Sequence, residues 1–299
     1  QEMLLKLETT QPMGAFKLRG ALNALAALPP GAAGVVCCST GNHGRAVAYG
    51  ARRRGMRAVV CMSALVPEAK VAGIRALGAE VRIIGVSQDD AAEESQRLVA
   101  DEGLVEIPPF DDPRVIAGQG TIGLELMTAR PELTMILVPL SGGGLAAGVA
   151  LAAKAIKPDL RVIGVSMSRG AAMQASLAAG HPVMVTEVPS LADSLGGGIG
   201  LHNRLTFAMC RDLLDEVVLV TEPAIRAAMQ ALFAHDRMVA EGGAVVGLAA
   251  VMTGAVRLNG PSATILTGRN ADMTTFADIV AGRDVQIGDT VLKGQPHAA

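Results

Sequence analysis

Residues 134–157, TMILVPLSGGGLAAGVALAAKAIK, decide the fold, because an apolar run typical of a strand stops at three consecutive glycines and resumes as an alanine-rich helical pattern. This order predicts a strand, a bare turn and a helix. Glycines without Cβ let backbone N–H groups crowd around a ligand, and the helix that follows brings the positive end of its dipole to the same place. We therefore expect an anion such as phosphate at residues 142–144. A tight turn that binds nothing is the alternative.

The loop does not fit two common nucleotide-binding motifs. It lacks the Lys-Ser/Thr ending of a nucleoside-triphosphate loop, and residues 141–145, SGGGL, do not keep the glycine spacing of a dinucleotide fingerprint. The phosphate is therefore expected to belong to a different ligand.

The composition predicts an α/β protein. A chain of 299 residues is long enough for one large domain or two moderate ones. Short apolar strand-like runs alternate with runs rich in alanine and leucine, which indicates a largely parallel, buried sheet. The net charge of −2 gives no electrostatic case for binding nucleic acid or an anionic membrane.

Membrane insertion and structural disulfides are both disfavoured. The uncharged run of residues 135–153 has nearly the length of a membrane span, but Pro139 and the glycines divide it into pieces too short to cross. The four cysteines have no metal-type spacing and indicate buried thiols in a reducing compartment, so we expect a cytoplasmic protein. They are Cys37, Cys38, Cys61 and Cys210.

Lys17 is the candidate nucleophilic amine. It lies between Phe16 and Leu18, and Gly14 and Ala15 leave open space beside it. A lone lysine is usually solvated, which is the alternative interpretation. Apolar neighbours on both sides would lower its pKa by desolvation and suit an amine that forms a Schiff base.

Residues 12–21, PMGAFKLRGA, resemble the lysine motif of fold-type II pyridoxal-phosphate enzymes of the threonine/serine dehydratase group. The resemblance implies pyridoxal 5′-phosphate as cofactor, held by Lys17 as an internal imine beside Phe16. It also implies a homodimer with a tryptophan synthase β-like fold, in which two parallel-sheet α/β domains have the active site between them.

The βα pattern of the chain sets the predicted domain boundaries. It repeats up to Asp112 and indicates a small inserted α/β domain of residues 34–112. A proline-rich hinge of residues 108–113 would lead out of it. Residues 1–33 and 113–299 would form the large cofactor-binding domain.

A polar loop of residues 39–44, STGNHG, follows the next predicted strand and opens a helix. Helix capping alone could explain these residues, but they also form an anion site suited to a carboxylate. The stretch resembles the asparagine loop of the same family, which implies a contact from Asn42 to the ring hydroxyl of the cofactor. The residues implied to bind substrate are Ser39, Thr40, Gly41 and His43. Thr40 also stands where related racemases place an acid/base serine, so the candidate catalytic residues are Lys17 and Thr40.

The same resemblance assigns the remaining cofactor contacts. A glycine-rich loop at this place in the family holds the 5′-phosphate, which assigns that role to Ser141, Gly142, Gly143, Gly144 and Leu145. Residues 267–270, TGRN, stand where the family usually has Ser-Gly-Gly-Asn, so Thr267 would bond the pyridine nitrogen. The glycines of residues 116–125 suit close helix packing.

A divalent-cation site is not expected. Many family members carry a Glu and an Asp that help bind a cation, and by position these fall on Ser166 and Ala172. Neither residue supplies a carboxylate.

The resemblance implies loss of water from a β-hydroxy amino acid. Residues 166–173 and 191–200 are closer to hydroxyectoine-utilisation dehydratases than to ordinary threonine dehydratases, which favours a substrate such as hydroxylated diaminobutyrate. L-threonine, L-serine or 3-hydroxyaspartate is the second possibility, and amino-acid racemisation is the third, weakened by Thr40. A non-catalytic metabolite-binding α/β protein is the alternative from another class. Residues 284–299 indicate a polar tail.

Overall fold

The computed structural model describes residues 3–39, 41–64, 66, 68–86 and 88–296. The strands are β1 (Met3–Leu7), β2 (Val35–Cys38), β3 (Ala58–Met62), β4 (Glu80–Ile83), β5 (Val105–Glu106), β6 (Met135–Pro139), β7 (Arg161–Met167), β8 (Glu216–Val220), β9 (Ser262–Leu266), β10 (Val285–Ile287) and β11 (Thr290–Leu292). The helices are α1 (Lys17–Ala26), α2 (Asn42–Arg53), α3 (Glu68–Arg75), α4 (Gln88–Glu102), α5 (Pro113–Ala129), α6 (Gly144–Ile156), α7 (Ala172–Ala179), α8 (Thr206–Leu213), α9 (Glu222–Asp236), α10 (Val246–Met252) and α11 (Met273–Val280).

The larger sheet is parallel and has the strand order β1-β9-β6-β7-β8. Its middle strand, β6, is buried at every residue, which explains the uninterrupted apolar run in the sequence. The core beside the sheet contains aliphatic and methionine side chains from β6, β7, α9 and α10. The predicted α/β class with a buried parallel sheet is confirmed.

The smaller sheet is also parallel and has the strand order β4-β3-β2-β5. One of its faces packs against α1 and α2 through a cluster that includes Leu25, Val47 and Val60. The other face contacts α4 through Ala91 and Leu98. Among the described residues, no helix has the length and hydropathy needed to cross a membrane.

The chain divides into two compact units, one of Gln1–Thr10 with Gly120–Ala299 and the other of Gln11–Gln119. This division differs from the predicted boundaries, because residues 11–33 and 113–119 pack with the smaller sheet. Asn23 Nδ2 donates to the Arg114 carbonyl at 2.7 Å, and a Cβ on Gly118 would lie 2.6 Å from the Arg19 carbonyl oxygen. Contacts between α1 and the start of α5 therefore decide where this unit ends.

The prediction of a polar tail from residue 284 is wrong for residues 285–292. These residues form an antiparallel hairpin of β10 and β11, in which Val285 and Ile287 are buried. Arg226 of α9 is 2% exposed and donates to the carbonyls of Lys293 and Arg283. A buried guanidinium therefore fixes the hairpin, and this partner lies too far away in the chain to be inferred from local pattern.

Replacing Arg226 with Met should destabilise the larger unit. Met keeps most of the apolar stem but removes the buried guanidinium that donates to the Lys293 and Arg283 carbonyls, which costs about 2–4 kcal/mol. We expect a lower unfolding midpoint and faster proteolysis beyond residue 280. Arg211→Met is the control, because Arg211 is exposed and pairs with the adjacent Asp212. Equal unfolding midpoints for the two variants would contradict the role given to Arg226.

Candidate active site

The glycine loop has the geometry that its sequence predicts. After β6, the Leu140 N–H donates to the Val165 carbonyl at 2.8 Å, and α6 begins at Gly144. Gly143 is the N-cap of α6 and has φ +89°, in the left-handed region that favours glycine. Gly142, Gly143 and Gly144 are buried, whereas Ser141 is half-buried. The strand, turn and helix are therefore confirmed, and the positive end of a 13-residue helix lies at the loop.

Three side chains lie directly behind Gly143. A Cβ at this position would be 2.8 Å from Met173 Cε, 2.9 Å from Cys210 Sγ and 3.0 Å from Thr206 Cβ. The Cys210 thiol donates to the Gly143 carbonyl at 3.8 Å, and burial raises its pKa to about 12, so it stays neutral. The floor of the loop is thus filled and uncharged, which leaves backbone N–H groups and the helix dipole to bind an anion.

The glycines of α5 hold α6 in place. A Cβ on Gly120 would lie 3.1 Å from the Gly148 carbonyl oxygen, and a Cβ on Gly123 would lie 2.7 Å from the Val149 carbonyl oxygen. The two helices therefore approach backbone to backbone, as the predicted packing role requires. This contact fixes the helix whose first turn carries the loop.

Lys17 is the first residue of α1 and has an environment that favours a neutral amine. Its Nζ donates to the Pro109 carbonyl at 2.6 Å and lies 5.4 Å from the centroid of the half-buried Phe16 ring. Desolvation by burial lowers the pKa of Lys17 to about 8. At pH 7 about a tenth of such an amine is unprotonated, compared with less than about a thousandth at the ordinary lysine pKa.

The asparagine loop leads into α2. Its N-cap is Gly41, which has no side chain, so no side-chain hydrogen bond caps the helix at this position. Asn42 is the first helical residue, and a Cβ on Gly44 would lie 2.3 Å from the Ser39 carbonyl oxygen, which explains the glycine. Thr40 lies outside the described residues, so its predicted catalytic role stays a prediction.

His43 is buried and neutral. It is 3% exposed, and its Nε2 lies 2.8 Å from the Ile107 carbonyl oxygen, which requires the proton on Nε2. Burial, followed by the charge of Lys17, lowers the pKa of His43 to about 3. The ring is therefore an uncharged donor to a backbone carbonyl near Lys17.

Thr267 directly follows β9 and is 3% exposed. Since β9 is the neighbour of β6, Thr267 and the glycine loop follow adjacent strands at the same carboxyl edge of the larger sheet. The Glu241 N–H donates to the Gly268 carbonyl at 3.1 Å, and a Cβ on Gly268 would be 2.7 Å from Glu241 Oε1. Glu241 therefore restrains the segment that presents the Thr267 hydroxyl.

Two supporting groups were missed in the sequence. The Pro109 carbonyl, which accepts from Lys17, belongs to a stretch interpreted only as a hinge. The second group is Glu241, whose contact with Gly268 joins segments 27 residues apart. The sequence did contain a signal for the Pro109 carbonyl, because two consecutive prolines at residues 108 and 109 indicate a stiff segment.

The residues present fit pyridoxal phosphate. The loop of residues 142–144 can bind an anion through its backbone N–H groups, and a Cβ at position 143 would clash with the side chains behind the loop. Lys17 provides an amine with a lowered pKa. Among the described residues, no three His, Cys, Asp or Glu side chains are grouped to hold a metal ion.

Two parallel α/β sheets, a glycine loop before a buried helix and a desolvated lysine define the chain as a fold-type II pyridoxal-phosphate enzyme. Residues 1–268 match the family described as pyridoxal-phosphate dependent enzyme, and the chain belongs to that family.

Known proteins resemble the chain over most of its length. A Sinorhizobium fredii protein provisionally named threonine dehydratase is 57% identical over 284 residues, covering 94% of this chain and 86% of that protein. The catabolic L-threonine dehydratase TdcB of Escherichia coli K12 is 38% identical over 283 residues, covering 93% and 85%. The structure of maize serine racemase superposes with a TM-score of 0.86 at 34% identity, covering 92% of this chain and 85% of that one.

The chain is therefore a pyridoxal-phosphate-dependent enzyme of the threonine dehydratase group, an ammonia-lyase for hydroxy amino acids. The alternative of a non-catalytic metabolite-binding protein is not supported.

Proposed function

We propose that the enzyme removes water from a β-hydroxy amino acid formed in hydroxyectoine breakdown, such as hydroxylated diaminobutyrate. The desolvated amine of Lys17 carries the proposal for the reaction, because a neutral amine beside the substrate can take the Cα proton near neutral pH. The family resemblance also suggests a homodimer, and the reducing compartment indicated by the four cysteines suggests a cytoplasmic location.

Each site residue has a proposed role. Lys17 holds the cofactor and takes the Cα proton, and the loop of residues 142–144 binds its phosphate with Ser141 and Leu145. Asn42 contacts the ring hydroxyl and Phe16 lies beside the ring. Ser39, Thr40 and Gly41 bind the substrate carboxylate at the start of α2.

Thr267 determines how strongly the ring withdraws electrons. When bound, the cofactor supplies an aldehyde that links to amines and a ring that accepts electron density from Cα. A neutral hydroxyl does not hold the pyridine nitrogen protonated as a carboxylate would. Elimination tolerates the weaker ring because hydroxide departs with the electron pair. The enamine released from the enzyme then hydrolyses to an oxo acid and ammonia.

The proposal places the second amino group of the substrate in a cavity of about 380 Å³. The cavity lies in the larger unit, and the acidic residues Glu187 and Asp193 are among its lining residues. Carboxylates favour an ammonium group over the methyl group of threonine.

The test is a substrate panel with purified holoenzyme. Hydroxylated diaminobutyrate, L-threonine, L-serine and 3-hydroxyaspartate are assayed for ammonia and oxo-acid release, and chiral chromatography detects racemised amino acid. We expect kcat/KM for hydroxylated diaminobutyrate to exceed that for L-threonine by about 10-fold or more. If L-threonine is turned over fastest, the enzyme is instead an L-threonine dehydratase, which is the second possibility considered from the sequence. D-enantiomer forming faster than ammonia would favour racemisation, the reaction named for the maize relative.

A further inference from the structure

The segment of residues 107–112, between β5 and α5, is held at both ends. At its start, the Ile107 N–H donates to the Val36 carbonyl at 2.9 Å. At its end, the Asp112 carboxylate accepts from the Val115 N–H at 3.1 Å and from the Arg114 N–H at 2.8 Å. The segment is therefore tied to β2 at one end and to the first turn of α5 at the other.

Two prolines stiffen the segment between these ends. Proline fixes φ near −65°, and a residue that precedes proline is confined to extended conformations. Pro108 and Pro109 follow Ile107 directly, so few backbone torsions are free between the Ile107 carbonyl and the Pro109 carbonyl. Fixing the first carbonyl therefore restricts the position of the second.

The two carbonyls have side-chain donors from different helices. His43 Nε2 of α2 donates to the Ile107 carbonyl at 2.8 Å, and Lys17 Nζ of α1 donates to the Pro109 carbonyl at 2.6 Å. Among the described residues, the buried His43 Nδ1 has no hydrogen-bond partner, whereas Nε2 bonds the Ile107 carbonyl, which explains a histidine at this position. His43 is also the titratable side chain whose pKa responds to the charge of Lys17.

We propose that His43 is a positioning residue that, through the stiff Ile107–Pro109 segment, holds the acceptor carbonyl for the Lys17 amine. The carbonyl of Pro109 fixes the direction of Nζ before the lysine joins the cofactor, and receives the amine again when substrate takes its place. This role rests on the proposed function of Lys17 and replaces a direct substrate contact for the His43 ring.

The experiment compares three variants with the parent. His43→Leu keeps a similar volume but removes the donor, and His43→Gln keeps an amide donor that can reach the Ile107 carbonyl. Pro109→Ala keeps the carbonyl and His43 but frees the backbone. The first readout is the pH dependence of Lys17 acylation in the full chain freed of cofactor, followed by peptide mass spectrometry. The second readout is the rate at which added pyridoxal phosphate becomes linked to Lys17.

His43→Leu should raise the midpoint of Lys17 acylation by at least one pH unit, since water reaches an amine that is no longer held. Its acylation rate at pH 7 should then fall about 10-fold, and linkage of the cofactor should slow similarly. The acylation and linkage rates of His43→Gln should stay within about 2-fold of those of the parent. The same rates of Pro109→Ala should fall about 3-fold.

Two results would overturn the proposal. The first is that folded His43→Leu keeps the pH midpoint of Lys17 acylation and the cofactor-linkage rate of the parent. The second is that His43→Gln and His43→Leu lose equal fractions of their acylation and linkage rates. If circular dichroism shows that His43→Leu does not fold, the other two variants decide. The proposal is then overturned if Pro109→Ala keeps the acylation midpoint and linkage rate of the parent while His43→Gln shows a raised midpoint and slower linkage. Failure of the proposed function is recognised separately, because the parent itself would then not link pyridoxal phosphate to Lys17.

Discussion

Lys17→Ala is expected to abolish ammonia release, with kcat/KM falling by at least about 1,000-fold. The variant loses both the amine that links to the cofactor and the base that takes the Cα proton. The visible absorbance of the linked cofactor should disappear at the same time. Measurement requires the substrate that is turned over fastest, together with an absorbance spectrum of the variant saturated with pyridoxal phosphate.

Lys157→Ala is the matched control for Lys17→Ala. Like Lys17, Lys157 is a partly buried lysine whose Nζ donates to a backbone carbonyl, that of Leu133 at 2.8 Å. It lies at the end of α6, away from the loop, so its loss should change kcat/KM by less than about 2-fold. Full activity in Lys17→Ala would refute the assignment, and an equal loss in both variants would show that general destabilisation is responsible.

Gly143→Ala is expected to weaken pyridoxal-phosphate binding by about 30- to 100-fold, or roughly 2–3 kcal/mol. An added Cβ would strike Met173, Cys210 and Thr206, and it would also strain a backbone with φ +89°. The loop must then move outward, so its N–H groups no longer converge on the phosphate. Equilibrium titration of cofactor-free protein, followed by absorbance, measures the change.

Gly180→Ala separates crowding from backbone strain. Gly180 has φ +79° at the C-terminus of α7, and, among the described residues other than its chain neighbours, no heavy atom lies within 4 Å of a Cβ added there. Its replacement should cost about 1 kcal/mol of stability through the left-handed conformation alone and leave cofactor binding unchanged. Unaltered affinity in Gly143→Ala would show that the loop does not hold the phosphate as proposed.

The features predicted well from sequence are those that depend on neighbouring residues. The strand, turn and helix of residues 134–157 follow from apolar periodicity and glycine geometry, and β6 and α6 have these boundaries within a few residues. The lowered pKa of Lys17 follows from apolar residues on both sides of it. Both predictions use information contained in a short stretch of chain.

The features that were missed depend on contacts between distant residues. Lys17 and the Pro109 carbonyl are 92 positions apart, and Arg226 and the Lys293 carbonyl are 67 apart. Local pattern therefore described residues 108–113 as a hinge and residues 284–299 as a tail. The compact unit of residues 11–119 extends beyond the predicted small domain of residues 34–112 for the same reason, because the contacts of Asn23 and Gly118 join α1 to α5.

The pairing of β1 with β9 has a consequence during protein synthesis. Residues 3–7 lie in register with residues 262–266, so this edge strand is made 259 positions before its sheet partner. At ordinary rates of translation this interval is roughly 15 to 50 s. During that time β1 has no β9 to pair with, whereas residues 11–119 are complete earlier and can fold as a contiguous unit.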